Sequence, residues 1–137
     1  MADVARVRAQ STATDYIVEL SNPAGHRWQA DEPEALGGGD TAPDPMQLTL
    51  SALGACTAIT LKMYAARKQW PLDDVLVDLA LNPDGKPGAG NDIHRRLTFK
   101  GDLDDTQRER LVQIANMCPV HKLLAGEIRI DTELDTP

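Results

Sequence analysis

The sequence predicts an α+β fold with antiparallel sheet, and three observations predict it. Short alternating segments flank one long, largely apolar stretch at residues 46–66. The alternating segments come in neighbouring pairs joined by turn-rich links, the pattern of hairpins. The order is strands, long helix, strands, two helices and a last strand, which is not the strand–helix–strand alternation of a parallel winding. With 137 residues, a single domain spanning 1–137 is expected. A chain of this size buries roughly 68% of its unfolded surface, so it needs no disulfide to fold.

Each element has a local reason. Residues 4–10 and 16–21 alternate as strands, joined by a Ser/Thr-rich turn at 11–14. Asn22-Pro23-Ala24-Gly25 makes a second turn, and residues 26–30 a third strand. A loop over 31–44 follows, with Gly37-Gly38-Gly39 and three prolines nearby. It lacks the Lys-Ser/Thr of a phosphate-binding loop, so a flexible crossing is expected. Asp44 then caps a helix, Pro45 suits its first position, and Gln47 sits where a capping-box partner belongs. Pro71 ends it near Trp70. About 25 residues make a rod of roughly 37 Å. Its first half is apolar or small on nearly every face, so protein must surround it. Lys62, Arg67 and Lys68 lie toward its negative end.

Residues 75–81 and 93–100 read as a hairpin around Asn82-Pro83-Asp84-Gly85-Lys86-Pro87-Gly88. Asp104 with Gln107 repeats the capping pattern and opens a helix that carries Leu111, Ile114 and Ala115 on one face. Pro119 breaks that helix, a short helix runs over 119–125 to Gly126, and residues 127–133 are expected as a final strand.

Composition excludes several functions. The net charge is −7 with acidic residues spread along the chain, which argues against a nucleic-acid backbone or an anionic membrane surface as partner. The stretch 46–66 is interrupted by Gln47, Thr49, Ser51 and Lys62 and reads as a buried helix rather than a membrane span. Met1-Ala2-Asp3-Val4-Ala5-Arg6 shows no charged head before an apolar run, so a cytoplasmic location is expected. There, two cysteines are more often catalytic or metal-binding than a structural disulfide.

Those two are Cys56 and Cys118. If Pro119 is the first helical residue, Cys118 is the cap. Its sulfur then faces unpaired amides, which favour the thiolate. His121, one turn on, adds charge or a hydrogen bond. Cys56 lies mid-helix, where apolar neighbours disfavour ionisation, and by itself reads as a core cysteine. Gly54 and Ala55 let another backbone or a substrate come close, and Thr57 and Thr60 offer hydroxyls to a sulfur or a ligand. Cys56, Cys118 and His121 include no close-spaced ligand pair, so no metal site is expected. His26 and His94 read as exposed. Arg95 and Arg96 straddle a strand, so one should point inward and need a carboxylate partner or a subunit interface.

With these residues in place, the chain resembles the OsmC/Ohr family of osmotically inducible and organic hydroperoxide resistance proteins. The resemblance rests on Leu36-Gly37-Gly38-Gly39-Asp40, Pro43-Asp44-Pro45-Met46-Gln47-Leu48, Ala52-Leu53-Gly54-Ala55-Cys56-Thr57 and Ile114-Ala115-Asn116-Met117-Cys118-Pro119-Val120-His121. It implies antiparallel sheets wrapped around long central helices in an intertwined homodimer. It also implies a thiol peroxidase without a cofactor: Cys56 attacks the peroxide and its sulfenic acid condenses with Cys118. A dithiol reductant, a lipoyl protein or thioredoxin, would restore the thiols. The family thus makes Cys56 the attacker, whereas local electrostatics single out Cys118.

Two departures stand out. The glutamate that hydroperoxide-resistance members carry ten positions before the first cysteine is here Met46. The arginine of their first hairpin turn is missing from Ser11-Thr12-Ala13-Thr14-Asp15. The chain therefore looks like the OsmC-like branch, with Arg27, Arg95 or Arg96 as substitutes among which the sequence does not choose. The competing function is a non-catalytic, small-molecule-binding or redox-sensing dimer built around the same cysteines.

Overall fold

A computed structural model describes residues 4–135. Residues 1–3, where the reading of the chain's start begins, lie outside the described residues, as do 136–137. The chain divides into two compact units, residues Met1–Ser51 and Ala52–Pro137.

The first unit holds a three-stranded antiparallel sheet, β1 (Arg8–Ser11), β2 (Val18–Ser21) and β3 (Arg27–Ala30), in that order. The strands are shorter than predicted because pairing stops at the turns: Ser11 pairs with Val18, and Ser21 with Arg27. The loop after β3 is ordered, which corrects the expected flexible crossing. It contains a 3-10 helix, Glu34–Leu36, and is tied down by the buried Asp31. One Asp31 carboxylate oxygen accepts from the Glu32 amide (2.8 Å). The other accepts from the Gly39 amide (3.3 Å), the Thr41 amide (3.1 Å) and the Thr41 hydroxyl (2.8 Å). The backbone passes so close here that a Cβ on Gly38 would run into the Glu32 carbonyl oxygen.

Helix α1 (Pro45–Lys68) starts where the capping box places it. Asp44 Oδ1 accepts from the Gln47 amide at 2.8 Å, and Gln47 Oε1 from the Asp44 amide at 3.0 Å. Its buried residues are Leu53, Thr57, Leu61 and Ala65, a stripe spaced by four. Within this chain the helix is not covered on every face: Met46, Ile59 and Met63 are exposed. By length and composition alone, α1 is also apolar enough to cross a membrane, a point the interrupting polar residues had argued against.

In the second unit, β4 (Asp74–Leu81) pairs antiparallel with β5 (Ile93–Lys100), from Asp74 opposite Lys100 to Leu81 opposite Ile93. Helix α2 (Asp105–Ala115) carries the second predicted capping box and buries Leu111, Ile114 and Ala115. These pack with Leu61, Ala65, Leu72 and Leu103 into the core, flanked by Tyr64, Trp70, Val75, Leu97 and Phe99. Each fully buried leucine there contributes about 1.5–3 kcal/mol. Helix α3 (Pro119–Ala125) follows. Residues 127–133 form no strand and are exposed. The expected strand fails for a physical reason: isolated extended chain has no ladder partner for its amides and carbonyls.

Candidate active site

The core packing of the second unit gathers one face of α1, the inward face of β5 and the α2–α3 junction. Cys118 stands at that junction as the N-cap of α3, with extended backbone ahead of Pro119. Its sulfur accepts from the His121 amide at 3.2 Å. It is fully buried while capping α3 as the sequence predicts. Burial pushes its thiol pKa up. The His121 amide, the Cys56 and Thr57 side chains and the Arg95 charge together outweigh this and leave it below its ordinary 9.0. Cys56 and Thr57 are thus neighbours of the Cys118 sulfur. Both cysteines are free thiols, and Cys56 is partly exposed rather than a sealed core cysteine.

At Gly54, α1 comes close to the sheet: a Cβ there would lie 2.9 Å from Leu79 Cδ1 on β4. One turn along, the buried Thr57 hydroxyl donates to the Leu53 carbonyl at 2.7 Å and accepts from Arg95 Nη1 at 3.0 Å. Arg95 Nη2 donates to Asn116 Oδ1 and to His121 Nδ1, each at 3.0 Å. Arginine has no acceptor, so His121 Nδ1 must accept, and the imidazole proton rests on Nε2.

Of the three candidate arginines, Arg95 is the one that joins this cluster. Arg96 points to the exposed side of β5, and Arg27 is exposed on β3 of the first unit. Of the two expected explanations for the inward arginine, no carboxylate within this chain meets it among the described residues; neutral oxygens and an imidazole nitrogen do. Among the described residues the one ion pair joins Arg129 and Glu127. The sequence reading overlooked Asn116 as a site residue, although it stands within the last cysteine motif. Its signal was weak, because an asparagine closing a helix is common without any further role. His26 and His94 are exposed, as expected.

A two-cysteine α+β protein with a capped, acidified thiol beside a second, accessible thiol is the class these features define. The family described as OsmC-like protein matches residues 37–133, and this chain belongs to it. Solved structures agree in fold. An OsmC-like protein from Mycoplasma pneumoniae is 19% identical, with 92% of this chain and 90% of that one covered, at a TM-score of 0.76. An organic hydroperoxide resistance protein OsmC from Legionella pneumophila is 22% identical over 92% of each chain, with a TM-score of 0.66. The organic hydroperoxide resistance protein OhrB of Bacillus subtilis is 24% identical over 90% of this chain and 92% of its own, with a TM-score of 0.59. No curated protein matches the chain in sequence.

Proposed function

We propose that this protein is a cysteine-based peroxidase for organic hydroperoxides or hydrogen peroxide, working through a Cys56–Cys118 disulfide. One observation carries the reading: an accessible thiol lies beside a buried thiol whose ionisation is favoured. Access decides which sulfur meets the peroxide. The Cys56 thiolate attacks the terminal peroxide oxygen, the O–O bond breaks, and the alcohol leaves with a proton. Cys56 becomes a sulfenic acid. The Cys118 thiolate then attacks that sulfur, forming the disulfide and releasing water. A lowered pKa serves Cys118 twice: it supplies the resolving thiolate, and it makes Cys118 the better leaving group when a dithiol reduces the bond. Arg95, His121 and Thr57 assist by holding charge and hydrogen bonds at Cys118.

The working unit in this reading is a homodimer of single OsmC-like domains in the cytoplasm. The exposed Met46, Ile59 and Met63 on α1 and the exposed Ile128 and Ile130 support it, being apolar surface that a second copy would cover. Light scattering that gave a monomer at micromolar concentration would refute the dimer.

The chemistry is tested by titrating reduced protein with an alkyl hydroperoxide, with and without a dithiol. Turnover with the dithiol and a Cys56–Cys118 linkage in the mass spectrum are expected. Cys56→Ser should abolish consumption, and Cys118→Ser should reduce about one equivalent and stop at the sulfenic acid. Loss of the first turnover in Cys118→Ser alone would reverse the roles. Unchanged consumption in both variants would remove the peroxidase reading altogether.

A further inference from the structure

A cavity of about 410 Å³ opens in the second unit between α1, β5, α2 and α3, within the size range of small-molecule sites, about 300–1,000 Å³. Most of its wall is apolar, with Leu53, Ile93, Leu97, Val112 and Leu124. Its polar side chains are Arg95, Asn116, His121 and Asn91, and neither cysteine lines it.

The hydrogen bonds already made set what those side chains have left to offer. Arg95 uses one Nη1 proton on Thr57 and both Nη2 protons on Asn116 and His121. Its Nε–H and second Nη1 proton remain. His121 Nδ1 is consumed as an acceptor, leaving Nε2–H, whereas Asn116 Oδ1 and Asn91 Oδ1 each accept one hydrogen bond and keep a second lone pair beside their amide protons. Donors therefore predominate on the wall, one of these groups is a cation, and among the described residues no carboxylate neutralises it. A neutral hydroxyl would satisfy these donors with one oxygen and leave the charge unmatched. A carboxylate offers two acceptor oxygens and the opposite charge, in the bidentate geometry a guanidinium favours.

We propose that this cavity binds an apolar monocarboxylate, its head on Arg95, Asn116 and His121 and its aliphatic body along Leu53, Leu97, Val112 and Leu124. Binding there needs neither thiol, so it can be measured apart from the peroxidase reading, although Arg95 and His121 serve both. It does communicate with Cys118. The Arg95 charge helps hold that thiol down, and a bound carboxylate offsets the charge, so occupancy shifts the Cys118 titration upward.

Calorimetry on the reduced protein, with no peroxide present, tests this using octanoate, 1-octanol and acetate. Octanoate should bind once per chain, and the other two about tenfold more weakly or worse, each lacking one half of the recognition. Arg95→Gln should weaken octanoate about tenfold or more while leaving octanol unchanged. Val112→Glu, at an exposed wall position, should also weaken octanoate, and more than it weakens octanol, because like-charge repulsion adds to the lost apolar contact without touching the Arg95 bonds. Octanoate should also move the ultraviolet thiolate titration to higher pH in the parent protein. Octanol binding as tightly as octanoate would overturn the proposal. So would undiminished octanoate binding in a folded Val112→Glu protein, or no octanoate heat at millimolar concentration.

Discussion

Replacing Thr57 by valine isolates one hydrogen bond at the centre of the site. The side chain is fully buried and the change is nearly isosteric, so no cavity forms. The Leu53 carbonyl loses the hydroxyl's 2.7 Å bond but keeps its helical partner. The main loss is the 3.0 Å bond from Arg95 Nη1. A bond from a charged donor is worth about 1.5–3 kcal/mol. Arg95 is only half-buried and water replaces part of that bond, so about 1–2 kcal/mol should be lost. This corresponds to a fall in Tm of about 3–8 °C for a chain of this size. Thr57→Ser keeps the hydroxyl and drops one methyl, at about 1 kcal/mol, so melting alone does not separate the two. The thiolate titration does. Thr57 is among the groups that lower the Cys118 pKa, so valine should move the titration up and serine should not. The sign for stability follows. Cys118 has a depressed folded pKa, so its ionisation adds stability above the unfolded value and loses it as pH falls through the folded value. The valine penalty should therefore be larger near pH 10 than near pH 6. A titration unmoved by valine, or moved equally by serine, would refute the assignment of Thr57 to the thiolate.

Two further changes probe the scaffold. Leu111→Ala empties the centre of the second unit's core, where the side chain is fully buried. It should cost about 2–5 kcal/mol in urea unfolding, and a loss below about 1 kcal/mol would mean that the core is not built around it. Asp31 is held down to about 2, first by the Thr41 amide and hydroxyl and the Glu32 amide, and against burial. Its folded pKa is depressed, so its contribution is present above the unfolded value near 4 and lost as pH falls toward 2. Asp31→Asn should flatten that part of the acid-stability profile. An unchanged profile between pH 4 and 2 would show that the loop does not depend on the carboxylate.

How much of this was legible in the chain depended on how far each signal had to reach. The capping boxes at Asp44/Gln47 and Asp104/Gln107, the Cys118 cap before Pro119 and the full extent of β5 were all readable, because each is satisfied within a few residues or by simple alternation. Alternation also said that one of Arg95 and Arg96 points inward, but not which. Only the packing of β5 near α1 and the α2–α3 junction chose Arg95, through partners 38, 21 and 26 residues away in sequence. The glycine-rich loop looked flexible because its order comes from a single carboxylate up to ten residues away. Residues 127–133 carry a strand's alternation, yet a strand exists only where another edge supplies the hydrogen bonds, and no local pattern encodes that edge. The sequence by itself determined the elements, their caps and the two cysteine motifs. The tertiary structure decided which arginine joins the cluster beside Cys118, and that Cys56 is the accessible sulfur and Cys118 the sealed one, because both depend on packing between elements far apart in the chain.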